Sequence, residues 1–145
     1  MSGWTSRLAH GLAHHLAEHG IGTYRPDGVY REDETGIVIA TVPAAPPRVV
    51  ALTPYPVADA LDQADSVLGL QVRCRSSSRD PREAFDLADS VFGLFAGASH
   101  LDLDGVLVHL VERTASGPIG RDANGRAEHA DTYRLTCHHP TRHRS

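Results

Sequence analysis

The stretch 80–97, DPREAFDLADSVFGLFAG, decides how the rest of the chain is read. Asp80 is a good N-cap, because its carboxylate can accept a bond from an unpaired amide of the first turn. Pro81 follows at the first helical position, where a missing N–H costs nothing. Glu83 stands three residues after the cap and can reach back as in a capping box. Gly97 is placed to take the left-handed conformation that closes a helix. Between these signals, at about 100° per residue, Leu94, Leu87, Val91, Ala84, Phe95, Ala88, Phe92 and Phe85 share one half of the wheel. Glu83, Asp86, Asp89, Ser90, Arg82 and Gly93 share the other half. All three phenylalanines of the chain lie on the apolar half. A sheet is expected to pack there.

Strand patterns flank this helix. Upstream, VLGLQVRCR (67–75) alternates, with Leu68, Leu70, Val72 and Cys74 inward and Gly69, Gln71, Arg73 and Arg75 outward. Downstream, Leu101 and Leu103 alternate with Asp102 and Asp104, and Asp104-Gly105 signals a hairpin. Val106 to Arg113 is apolar on both phases. Thr132 to His138 closes the series, with Tyr133, Leu135 and Cys137 on one side. Residues 114–131 lack apolar periodicity and are expected to form a long loop or hairpin arm, a length usually reserved for function or disorder. Residues 140–145 are expected to be a flexible tail.

Further out, Gly36 to Val42 and Arg48 to Thr53 read as strands, the first covered on both faces. The prolines of 43–47 are expected to bar pairing between them and to fix a stiff elbow. Residues 55–66 suggest a loop with one helical turn around Val57 to Leu61. Trp4 to His19 reads as an opening helix ended by Gly20, and 21–35 as an exposed connection. Helices and strands do not alternate strictly. The expected fold is α+β, one domain over 1–145, with two main helices on a mixed or mainly antiparallel sheet of four to five strands.

Composition narrows the function. The chain has 145 residues, 41% of them hydrophobic, which suits a single soluble domain. A formal charge of −4 gives no basic footprint, so no sequence-specific nucleic-acid partner is expected. No apolar run approaches a membrane span, and MSGWTSRLAH lacks the charged-then-apolar order of a signal peptide. Cys74 and Cys137 sit on apolar phases and read as reduced core residues.

The candidate chemistry thins out under inspection. On a helical wheel His10 and His14 lie about 140° from His15 and His19, so no three of these imidazoles converge, and no HExxH occurs. His138, His139 and His143 sit at a strand end and in the tail, and no native metal site is expected. Aligning Gly125 with the invariant glycine of a calcium loop puts Gly120 where a carboxylate is needed. Ser66, Ser90 and Ser116 lack a nucleophile-elbow context, neither cysteine has a low-pKa environment, and phosphate-binding glycine loops are missing. Arg73 and Arg75, with Arg79 nearby, make a basic stripe, which is most often a solvated face.

The order of motifs PPRVVALTPY (46–55), GLQVRCR (69–75), DPREAFDLADSVFGLF (80–95), VLVHLVER (106–113), GPIGRDANGR (117–126) and DTYRLTCH (131–138) resembles actinobacteriophage minor capsid proteins and the tail-terminator family of long-tailed, siphovirus-type phages. The match runs from about Gly36 onward. Residues 1–35 correspond only by an opening helix, and CRSSSRD departs from the glycine-containing turn expected after the QVR strand. The resemblance implies a small α+β subunit of a homo-oligomeric ring, commonly a hexamer, at the head-proximal end of the tail. Such a ring stops tube polymerisation and offers a head-joining surface, without turnover and without a cofactor. Implied partners are further copies, the tail tube protein and a head-completion or neck protein, in a virion assembled in the host cytoplasm. On this reading Arg73 and Arg75 would pair with acidic groups such as Asp86 or Asp89 of a neighbour. Arg121, Asp122 and Arg126 would meet the tube or the ring. The rival readings are a head-side neck protein, a His-rich metal-dependent enzyme or small-ligand domain, and a toxin–antitoxin or regulatory binding domain.

Overall fold

The computed structural model describes residues 3–145. In chain order it runs α1 (Trp4–Glu18), β1 (Thr23–Tyr24), β2 (Thr35–Ile39), β3 (Arg48–Asp59), β4 (Asp65–Arg75), α2 (Arg82–Phe95), β5 (Ser99–Leu103), β6 (Val106–Arg121) and β7 (Ala127–His138). Both expected helices are present. Gly97 closes α2 with φ +78° and Gly20 follows α1 with φ +78°.

The start of α2 differs in detail from the sequence pattern. Pro81 takes the N-cap place, and Asp80 accepts from the Arg82 amide at 3.0 Å. The Arg82 guanidinium sits on the same carboxylate, and its hydrogen bonds hold the Asp80 pKa down to about 2. Glu83 reaches back to the amide of Ser77, and the Ser76 hydroxyl accepts from the Ala84 amide at 2.9 Å. The serine segment therefore closes the box that Asp80 was expected to close. The buried stripe of α2 is Ala84, Ala88, Val91 and Phe95, narrower than the apolar half-wheel. Phe85 and Phe92 remain half-exposed at its sides.

The sheet has seven strands in the order β1-β2-β3-β4-β7-β6-β5, larger than the four to five expected, and α+β holds. The β1–β2 and β2–β3 pairs are parallel and the other pairs antiparallel. Helix α2 packs over the centre, on β4, β7 and β6, while α1 touches β1, β2 and β3 at one end and β5 and β6 at the other. A single helix can meet both ends only if the sheet curls around it, as accumulated strand twist allows. Gly11 makes this approach possible: a Cβ there would lie 2.6 Å from the Leu103 carbonyl carbon. Leu8, Leu12, Leu16, Val50, Leu52, Leu70, Phe95, Tyr133 and Leu135 fill the space between, each fully buried.

Two expectations about the strands need correction. The prolines of 43–47 do not keep their flanking strands apart: β2 and β3 pair in parallel from Thr35↔Arg48 to Ile39↔Leu52. The paired stretches contain no proline, and an eight-residue connection of up to about 26 Å easily runs back along a strand of about 17 Å. Residues 55–66 contain no helical turn, because β3 continues to Asp59 against β4. Pro54 and Pro56 are tolerated there, since β2 stops pairing at Leu52 and leaves β3 an open edge that needs no donor. Of the two readings of 114–131, long loop or hairpin arm, the hairpin holds. It is the end of β6, a turn, and the start of β7, paired from Ala115↔Thr132 to Arg121↔Ala127. Its apolar period is missing because nearly every β6 residue beyond Val111 is exposed, and ladder bonds require no side-chain pattern. In the segment 140–145 Arg144 donates to the Ser66 hydroxyl at 2.7 Å, and just before it His139 stacks on Trp4 with ring centroids 3.7 Å apart.

Candidate functional site

Beyond Val111, β6 loses its outer neighbour. β5 pairs with β6 only from Ser99↔Leu110 to Leu103↔Val106, with Val111 bonded to Ala98, so Glu112 to Arg121 forms a free sheet edge. Two register shifts, between Arg113 and Ala115 and between Pro118 and Gly120, bend this edge. Proline, glycine and bulges are the devices that stop an edge from pairing indiscriminately. The edge is apolar-flanked. Ile119 is 49% exposed, and Phe92 from α2 lies alongside, its ring 3.9 Å from the Arg113 guanidinium carbon. Phe85, about two turns earlier, sits edge-on to His129 of β7. Leu107 and Leu110 of the same strand are exposed as well, while Val106, Val108 and Val111 are buried.

The turn at 122–126 is built by two of the residues singled out in the sequence. Asp122 accepts from the amides of Asn124 and Arg126 at 3.0 and 2.9 Å and from the Arg126 Nε at 2.8 Å. Burial alone would raise the Asp122 pKa, but the hydrogen bonds from Arg126 outweigh it and the net shift is downward. Arg126 also donates to the Ala44 carbonyl at 2.9 Å, tying the turn to the proline elbow. Arg121, beside this turn, is exposed.

Arg75 does not face solvent as strand alternation implied. It is 3% exposed, because residues 44–47 fold over it. Its guanidinium donates to the carbonyls of Pro47 at 2.8 Å and Pro46 at 2.7 Å, and lies 3.6 Å from the Asp122 carboxylate. Burial, then the neighbouring Arg126 charge, lowers its pKa from the ordinary arginine value. It is a clamp for the chain's own elbow. Arg73 makes a two-pronged pair with Glu128 at 2.9 and 2.7 Å and keeps 39% of its side chain exposed. Within the chain its partner is Glu128. Of the five arginine and aspartate positions, Arg121 and the open side of Arg73 remain on the surface.

The register also assembles groups that local sequence kept apart. Ser116, His129 and Asp131 meet beneath α2, with Ser116 Oγ 3.1 Å and Asp131 Oδ1 2.9 Å from the same nitrogen, His129 Nε2. A hydrolytic relay needs the carboxylate on one imidazole nitrogen and the hydroxyl on the other. Here, among the described residues, Nδ1 has no partner, and Ser116 donates directly to Asp131 Oδ1, so the three groups are not arranged as that relay. The thiols are poor nucleophiles too. Burial raises both, Cys74 strongly and Cys137 to about 12, the latter helped by the Asp65 charge. At the other end of β7, Asp65, His109 and His138 bring ligand atoms within 4.8 Å of one another, a cluster capable of holding a metal ion that the helical-wheel test of the first histidines could not reveal. Among the described residues, no helix is long and apolar enough to cross a membrane.

The curled mixed sheet packs on two helices and leaves bare edges on β6 beyond Val111 and on β3 beyond Leu52. The family described as bacteriophage tail terminator protein matches residues 15–138, and the chain belongs to that family. No curated protein matches the chain. Membership makes this a structural protein and a virion component, and it favours neither the neck-protein reading nor the metal-dependent enzyme.

Proposed function

We propose that the protein is a ring-forming tail terminator, closing head-to-tail copies of itself on the end of the tail tube nearest the head. The observation that carries this reading is the free, apolar-flanked edge of β6 from Glu112 to Arg121, beside Phe92 and Ile119. The opposite end of the sheet offers a different free edge, β3 beyond Leu52. Two unlike contact surfaces on opposite sides of one subunit are what a heterologous, ring-closing interface requires. Closure into a hexamer would cover the edge, leave no further strand to extend, and so stop tube growth. Arg121, and Arg73 on its open side, would then make contacts with a neighbour or the tube, while Asp122 and Arg126 hold the turn that presents Arg121. The other face of the ring would receive the head-completion or neck protein.

The test is negative-stain imaging and light scattering of the purified protein, alone and mixed with tail tube. Rings or capped tube ends are expected. A species that stays monomeric under every condition, tube included, overturns the proposal.

A further inference from the structure

We propose that Asp65, His109 and His138 form a binding site for one divalent transition-metal ion of the zinc class, stapling three strands on the outer face of the sheet. Asp65 begins β4 and pairs in register with His138 at the end of β7. Their neighbours Ser66 and Cys137 are buried, so these two side chains project from the opposite face. His109 comes from β6, two strands away from β4. It reaches them because the β6–β7 register slips between Val108 and Leu110, which makes His109 the extra residue of a bulge. Bulges commonly re-aim a side chain in this way.

The geometry is near that of a metal shell. Asp65 Oδ1 lies 3.3 Å from His109 Nε2 and 4.0 Å from His138 Nδ1. Zinc at about 2.0–2.1 Å from each ligand in a tetrahedral shell holds ligands roughly 3.3–3.4 Å apart. One contact already meets this spacing, and the others close by small rotations of side chains that are 42–47% exposed. Among the described residues, no arginine pairs with this carboxylate. Arg144 donates to the Asp65 backbone carbonyl, and its guanidinium faces Asp59 at 3.6 Å. Two imidazoles and one carboxylate suit zinc, cobalt or nickel rather than calcium or magnesium, which prefer all-oxygen shells. Three protein ligands leave a fourth position for water. The His10–His14 pair, whose rings stand 4.5 Å apart beside Tyr24, is not part of a three-ligand group at this spacing among the described residues and serves as the internal control.

The experiment is a titration of untagged, metal-stripped full chain with Co²⁺, read by visible absorption, followed by displacement with Zn²⁺. One equivalent with tetrahedral-type d–d bands is expected, lost in His109→Ala and in Asp65→Asn and retained in the His10→Ala/His14→Ala double variant. Disturbing an outer partner of a metal ligand costs about 10–100-fold in affinity, so losing a ligand should cost at least that. Circular dichroism in EDTA shows whether each variant is folded, and His109→Gln replaces any variant that is not. No bands with wild type, or equal binding by folded variants lacking a ligand, overturns the site. Neither result bears on ring formation, which rests on the β6 edge.

Discussion

On the inner face of the sheet Leu70, Val72, Tyr133 and Leu135 are covered by the two helices, with at most 1% exposed. On the outer face the same strands present Gln71, Arg73, Thr132 and Arg134, and two of these pair across strands, Arg73 with Glu128 and Arg134 with Glu112. The inner face is buried at these apolar positions, so it sets stability. The outer face and the β6 edge spend little on stability and keep apolar groups such as Ile119 and Leu110 in reach of another molecule. A subunit that must fold alone and then assemble can divide its apolar surface in this manner.

Substitutions on the two sides should therefore separate cleanly. Phe95→Ala, at the fully buried end of the α2 stripe, should lower unfolding free energy by about 3–5 kcal/mol in urea titration. A loss under about 1 kcal/mol would show that the inner face is not tightly packed. Arg75→Met should cost roughly 2–3 kcal/mol, because the buried carbonyls of Pro46 and Pro47 lose their donor. An unchanged midpoint would mean that water replaces the clamp. Ile119→Asp should leave monomer stability within about 0.5 kcal/mol yet abolish rings in light scattering. If rings persist, the edge of β6 is not the contact. The two thiols should react with a disulfide reagent only as fast as the protein opens, since both are buried and protonated.

The smallest expected effect is on pH dependence. Burial, then the nearby Arg144 charge, lowers the pKa of His139 from its ordinary 6.5, and burial with His19 lowers that of His15. A histidine depressed in the fold binds fewer protons than in the unfolded chain. Its contribution is therefore complete above 6.5 and is lost as pH falls through the lower folded value. His139→Phe keeps a ring against Trp4 and should flatten the decline in stability below pH 6.5. An unaltered slope would assign it to other groups.

Local signals were legible wherever one residue's neighbours decide its state. The C-terminal end of α2, the alternation of Leu68 to Cys74, the Asp104-Gly105 turn (φ +54° and +83°) and the buried cysteines all follow from period, cap or turn chemistry. The extension of β3 through Pro54 and Pro56 escaped because the missing N–H matters only if a strand lies on that side, which is a property of the sheet. Arg75 was misplaced for the same reason: alternation names a face, but residues 44–47 decide whether that face is covered. The metal-capable cluster had no local trace, since its members come from three strands and one depends on a bulge.

The sequence by itself determined two amphipathic helices, an α+β class and the tail-terminator resemblance, because caps, periods and motif order are written in consecutive residues. Only the tertiary structure decided which strands are neighbours, which edge of β6 stays free, and which charges are already paired within the chain. Those outcomes depend on contacts between residues far apart in sequence, whose partners are chosen when the sheet curls around its helices.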